Sequence, residues 1–114
     1  MKLLRLAAWT CVLLLAVLSL VPGDAQIRTG APGIAEHVIA YGATTVLFVL
    51  AYPAIGRVQL ILCLIGYAAV LEIAQAYVPG RYATLYDFSG GVGGVALGCL
   101  IGTWLLGRFR PDKP

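Results

Sequence analysis

The sequence predicts an all-α membrane protein, an antiparallel bundle of four transmembrane helices in a single domain covering residues 1–114, and three observations carry that prediction. The chain is 61% hydrophobic and 11% charged, with a mean hydropathy of +0.92; a soluble domain carries about 25% charged residues. The apolar residues fall into four runs near the length of roughly 20 residues that a membrane helix needs. Proline and glycine stand at the boundaries between the runs, where helix stop signals belong.

The first run covers residues 3–21 and is closed by Pro22-Gly23. It also fits a second reading. Lys2 and Arg5 precede the apolar stretch, and Gly23-Asp24-Ala25 resembles a small-residue cleavage site, the pattern of a secretory signal. The stretch exceeds the 7–15 apolar residues typical of such signals, which favours a retained helix. The second run covers residues 34–52 and ends at Pro53 and Gly56; the third covers 58–78 and ends at Pro79-Gly80. The fourth covers residues 83–106, followed by Gly107 and a polar tail. The connections are short, so neighbours in sequence are expected to run antiparallel.

Lys and Arg set the orientation. With the N-terminus inside, the inner side receives Lys2, Arg5, Arg57, Arg108, Arg110 and Lys113, and the outer side Arg28 and Arg81. Six against two satisfies the positive-inside rule. The expected location is a bacterial-type plasma membrane, with both termini cytoplasmic. Trp9, Tyr52 and Trp104 then fall near the inner interface, and Tyr77, Tyr82 and Tyr86 near the outer one. No basic stripe with interleaved aromatics points to nucleic acid. Cys11, Cys63 and Cys99 lie far apart in apolar runs, with no metal-ligand spacing, and read as packing or lipid-facing residues. No motif calls for a cofactor or a resident metal.

The polar residues of the spans converge on the outer side. Glu36 and His37 begin the second helix, Glu72 lies late in the third, Arg81 sits in the following turn, and Asp87 opens the fourth. With a third helix reaching Val78, Glu72 lies about 9 Å inside its end. A carboxylate there must face protein or water, because charge inside the bilayer is costly. Gln75 follows by three residues and shares its face; Ala68, Ala69 and Ala76 flank it. His37, Tyr41, Thr44 and Thr45 line one side of the second helix. Gly90, Gly94, Gly98 and Gly102 recur every four residues, a small-xxx-small stripe that lets helix backbones approach. This stripe is expected to pack helices within the chain and is also a candidate for pairing two copies. Asp87 lies at its outer end. The three faces together predict an outward-facing polar pocket of His37, Glu72, Gln75, Arg81 and Asp87.

Glu72-Ile73-Ala74-Gln75, then Pro79-Gly80-Arg81, then Asp87 and the glycines beyond it, resemble the signature of the VanZ-like family. His37 matches a histidine of the same pattern, and the resemblance covers about residues 34–106. Two positions depart from it. Ile34, Ala35 and Glu36 stand where an Asp-Lys pair is usual, and Gly91 where an Asn is usual. The resemblance implies a small multi-helix membrane protein, in a family whose namesake is linked to glycopeptide resistance of the teicoplanin type. The leading expectation is a binding role in the cell envelope, with a membrane lipid head group or a lipid-linked envelope precursor as partner. An enzyme acting on a lipid-linked substrate is the alternative, with His37 as base and Glu72 or Asp87 as acid, orienting group or co-ligand of a metal. A small transporter is the third reading, although the inner halves of the helices are almost purely apolar.

Overall fold

The computed structural model describes residues 1–26 and 29–109; Arg28, Arg110 and Lys113, counted in the charge argument above, lie outside the described residues. Among the described residues four α-helices make up the fold: α1 (Lys2–Leu20), α2 (Gly33–Ala51), α3 (Arg57–Gln75) and α4 (Leu85–Phe109). All four are long and apolar enough to cross a membrane. The molecule is 55 Å long and 25 Å across, against a hydrocarbon layer of about 30 Å.

Two helix ends differ from the sequence reading. The third helix stops at Gln75 because Ala76, Tyr77 and Val78 donate their N–H groups three residues back, to Ile73, Ala74 and Gln75, tightening the chain into a turn. The fourth begins at Leu85 because Thr84 is its cap: the Thr84 hydroxyl accepts the Asp87 N–H at 3.0 Å, and its carbonyl accepts Phe88 N–H at 3.1 Å. The pattern Thr-x-x-Asp is a helix-start signal.

Helices adjacent in sequence run antiparallel, yet the tightest contact joins a parallel pair. α2 packs most extensively on α4, and both point the same way. An ideal Cβ on Gly90 would meet Ile34, on Gly94 it would lie 2.5 Å from the Val38 carbonyl, on Gly98 it would overlap the Gly42 carbonyl, and on Gly102 it would lie 2.8 Å from Val49 Cβ. Residue numbers rise together along both helices, which is the mark of a parallel pair. The glycine stripe is therefore covered by α2 of the same chain. The four glycines are buried within the chain. Gly42 supplies the matching notch on α2.

α1 closes the bundle against α2 and α3 and makes no contact with α4. Ala8 is fully buried. Tyr67 donates its hydroxyl to Val12 O at 2.5 Å, and Gln75 donates Nε2 to Ser19 O at 3.0 Å. At the other end Trp9 meets Phe48 edge-on with centroids 5.3 Å apart and donates Nε1 to the Tyr52 hydroxyl at 2.9 Å; the Arg5 guanidinium lies 4.7 Å over the Tyr52 ring. The opposite face of α1 carries exposed Leu3, Leu6 and Leu13. The segment is thus docked along its length as a member of the bundle.

Charge is segregated by end. Lys2, Arg5, Arg57 and Arg108 gather where α1 and α3 start and α2 and α4 finish. Asp24, Glu36, Glu72 and Asp87 lie at the other end, with Arg81.

Candidate functional site

At the acidic end two loops are clamped together. Gly23 N–H donates to Pro79 O at 2.8 Å, and Gly80 adopts φ +75°, a backbone conformation that suits glycine. A side chain at Gly23 would overlap the Gly80 backbone. The clamp fixes the turn after α3 over the end of α1, and so fixes where α4 begins.

Glu72 and His37 meet below this turn. His37 Nε2 lies 3.8 Å from Glu72 Oε2, with the His37 and Glu72 side chains 24% and 13% exposed. His37 Nδ1 lies 2.9 Å from the Gly33 carbonyl. A carbonyl only accepts, so Nδ1 carries a hydrogen. In the neutral ring Nε2 then presents a lone pair toward a carboxylate, an arrangement relieved when a proton or a donor stands between them. His37 stacks on Tyr41, with centroids 6.1 Å apart. Gly90 backs the histidine: a Cβ there would lie 3.3 Å from His37 Cβ. The glycine stripe thereby sets how far α2 carries His37 from α3.

Glu72 Oε1 accepts the Thr84 N–H at 2.8 Å. The carboxylate therefore joins three elements: α3, which bears it, the head of α2 through His37, and the start of α4 through Thr84. With α3 ending at Gln75, Glu72 lies about 4.5 Å from the helix end, half the depth expected from the longer helix.

The other expected site residues separate. Gln75 is buried and turns away to Ser19 O of α1, where it satisfies a carbonyl at the end of that helix. Asp87 packs beside Gly33 at the start of α2: its Oδ1 lies 2.9 Å from where a Gly33 Cβ would stand. Arg81 is half-buried in the turn. Thr44 and Thr45 are buried and donate to carbonyls of their own helix, Ala40 O and Tyr41 O, and so take no part in a polar pocket. Gly91 sits under Tyr41 and Ala68, with a Cβ 3.3 Å from the Tyr41 ring; a longer side chain there would displace Tyr41. His37, Glu72 and Asp87 do not form a ligand set, and among the described residues no group of three or more His, Cys, Asp or Glu is placed to hold a metal.

Beside Glu72 the surface opens into a groove of about 420 Å³ between the last turns of α3 and the start of α4. Ala69, Ile73, Ala76, Leu85 and Phe88 make its apolar walls, Tyr77 lies along it, and among the described residues Glu72 is the one charged residue that lines it. The expected polar pocket is thus a largely apolar groove with a single carboxylate. Of the residues that line this groove, the sequence reading singles out Glu72 and not Thr84, Leu85 or Phe88. Thr84-Leu85-Tyr86-Asp87 was the available signal, because it fixes α4's start and hence which residues face α3.

No family model, curated protein or solved structure matches this chain.

Proposed function

We propose that this chain is a four-span protein of a bacterial-type plasma membrane that binds an amphiphile at its outer end, in the manner expected of a VanZ-like envelope protein. The observation that carries the reading is the groove beside Glu72: apolar walls suited to a hydrocarbon chain, with one carboxylate at their edge. Such convergence of an apolar cleft on few polar groups is the usual form of a small-molecule site. The basic residues at the opposite end support an orientation with that end cytoplasmic and the groove in the outer leaflet. A lipid head group or a lipid-linked envelope precursor matches both its chemistry and its place.

The test is lipid extraction from protein purified in mild detergent, with wild type compared to Glu72→Gln and to Ala76→Phe at equal expression. A retained amphiphile in wild type that falls severalfold in both variants is the expected result. Equal lipid content in all three samples would remove the groove as a binding site. In cells, envelope integrity and glycopeptide susceptibility should shift with Glu72→Gln.

A second reading rests on the His37–Glu72 pair. A histidine with Nδ1 held by a carbonyl and Nε2 facing a carboxylate is the arrangement of a general base and its partner. In that reading His37 would accept a proton from water or a hydroxyl of a lipid-linked substrate. Turnover of such a substrate that is lost in His37→Gln, with lipid retention unchanged, would favour it over simple binding.

A further inference from the structure

Resting on the reading that the groove takes an amphiphile, we infer that the groove selects a phospholipid whose headgroup carries a primary ammonium, with that ammonium on Glu72. Three features of the site converge on this choice.

The first is charge. Among the described residues that line the groove Glu72 is the one carboxylate, and none is Lys, Arg or His. A phosphate or carboxylate in direct contact with Glu72 would meet a like charge at close range. An ammonium would face its complement.

The second is acceptor capacity. An ionised carboxylate offers about four lone-pair positions. Oε1 takes the Thr84 N–H at 2.8 Å, while Oε2 lies 3.8 Å from His37 Nε2, beyond hydrogen-bond length. The side chain is 13% exposed and lines the groove. A primary ammonium brings three donors and can reach such a carboxylate where a fully methylated ammonium cannot donate at all.

The third is the wall beside the carboxylate. Tyr77 lines the same groove and is 86% exposed, so its ring stands open to a ligand. A carboxylate with an adjacent aromatic face is a recognised setting for an ammonium. Ala69 and Phe88, about one turn further into the spans, carry the apolar wall inward from the carboxylate, and Ile73 and Ala76 line the groove on its outer side.

The experiment uses the full-length protein in nanodiscs containing equimolar phosphatidylethanolamine, phosphatidylcholine, N-acetylated phosphatidylethanolamine and phosphatidylglycerol with matched chains. Native mass spectrometry reads the lipids that stay bound. The expected result is roughly tenfold enrichment of phosphatidylethanolamine over phosphatidylglycerol, the effect of one charge-assisted hydrogen bond. Phosphatidylcholine should fall between them, and the N-acetylated lipid should behave like phosphatidylglycerol. Glu72→Gln should abolish the preference while keeping bound lipid. Asp24→Asn, which removes an exposed acid from the same end, should keep the preference. Ala76→Phe should lower all lipids together, and serves as the groove test if Glu72→Gln does not fold. Retention without headgroup preference in wild type would overturn this inference and leave amphiphile binding standing. An unchanged preference in Glu72→Gln would also overturn it. No retained lipid in wild type would overturn both.

Discussion

Gly94→Ala should destabilise this protein, while Gly93→Ala, one residue away on the same helix, should not. The two substitutions add the same methyl group to α4. At Gly94 the new Cβ would lie 2.5 Å from the Val38 carbonyl oxygen, 3.0 Å from Val38 Cα and 3.1 Å from the Gly42 nitrogen. All three are backbone atoms, so no side chain can rotate away. Restoring ordinary contact at 3.4 Å requires α2 and α4 to part by about 0.9 Å. Overpacking of this kind costs about 1–3 kcal/mol. The intrinsic gain of Ala over Gly in a helix, about 0.8–1.0 kcal/mol in water, offsets part of it. At Gly93 nothing lies within 4 Å, so only the favourable part remains. The expected difference between the variants is therefore about 1–3 kcal/mol. Gly98→Ala should resemble Gly94→Ala, because its Cβ would overlap the Gly42 carbonyl. Combining 94 and 98 should cost less than the sum, since one parting of the helices relieves both clashes. Thermal unfolding of detergent-solubilised protein, read by fluorescence-detected size exclusion, measures the order. If Gly94→Ala melts at or above Gly93→Ala, the parallel α2–α4 seam described here is wrong.

Further outcomes test the rest of the bundle. Gln75→Leu removes the donor to Ser19 O and should cost about 1–3 kcal/mol in the same unfolding assay, without changing lipid retention; a change in retention at unaltered stability would return Gln75 to the site. A double-mutant cycle of His37→Ala and Glu72→Ala should give a coupling of about 0.5–3 kcal/mol, and additive losses would mean that the two side chains do not interact. Asp87→Asn should destabilise by about 0.3–1 kcal/mol, the usual scale for a carboxylate at a helix N-terminus, with a loss that shrinks in high salt; a salt-independent loss would point to packing. In a background lacking Cys11, Cys63 and Cys99, Ala83→Cys should react with an impermeant thiol reagent from outside intact cells and Ala54→Cys only after permeabilisation. The reverse pattern would invert the proposed topology.

The elements were legible in the sequence for plain physical reasons. Hydrocarbon thickness dictates span length, and Pro22, Pro53 and Pro79 close three of the runs, so the helices came within a few residues of their ends. Glu72 was legible because a carboxylate near an apolar span must find a partner. Gln75 misled because spacing says which face of a helix a residue occupies but not which neighbour covers it. Glu72 and Gln75 are three apart, yet one turns to His37 and the other to Ser19. The arrangement of four helices around the bundle decides that, and short connections fix only the direction of sequence neighbours. The parallel α2–α4 pair was hidden for the same reason. Gly90, Gly94, Gly98 and Gly102 announced a close helix contact without naming the helix.

That parallel pair accounts for two of the acids at this end, Glu36 and Asp87. Two helices in backbone contact that point the same way bring their N-termini together, each with about half a positive charge from unsatisfied N–H groups. Antiparallel neighbours would cancel these fields, and α2 and α4 do not. The first turn of α2 holds Glu36 and the first turn of α4 holds Asp87, and Asp87 stands against Gly33 at the head of its neighbour. Carboxylates at this end therefore stabilise the seam before any ligand is considered. Glu72 differs from them in one respect: it comes from α3, near that helix's C-terminus, where the backbone field opposes a negative charge. A carboxylate placed there lacks the local support that Glu36 and Asp87 enjoy. It accepts the Thr84 N–H, and a cation arriving in the groove would add what its own helix does not supply.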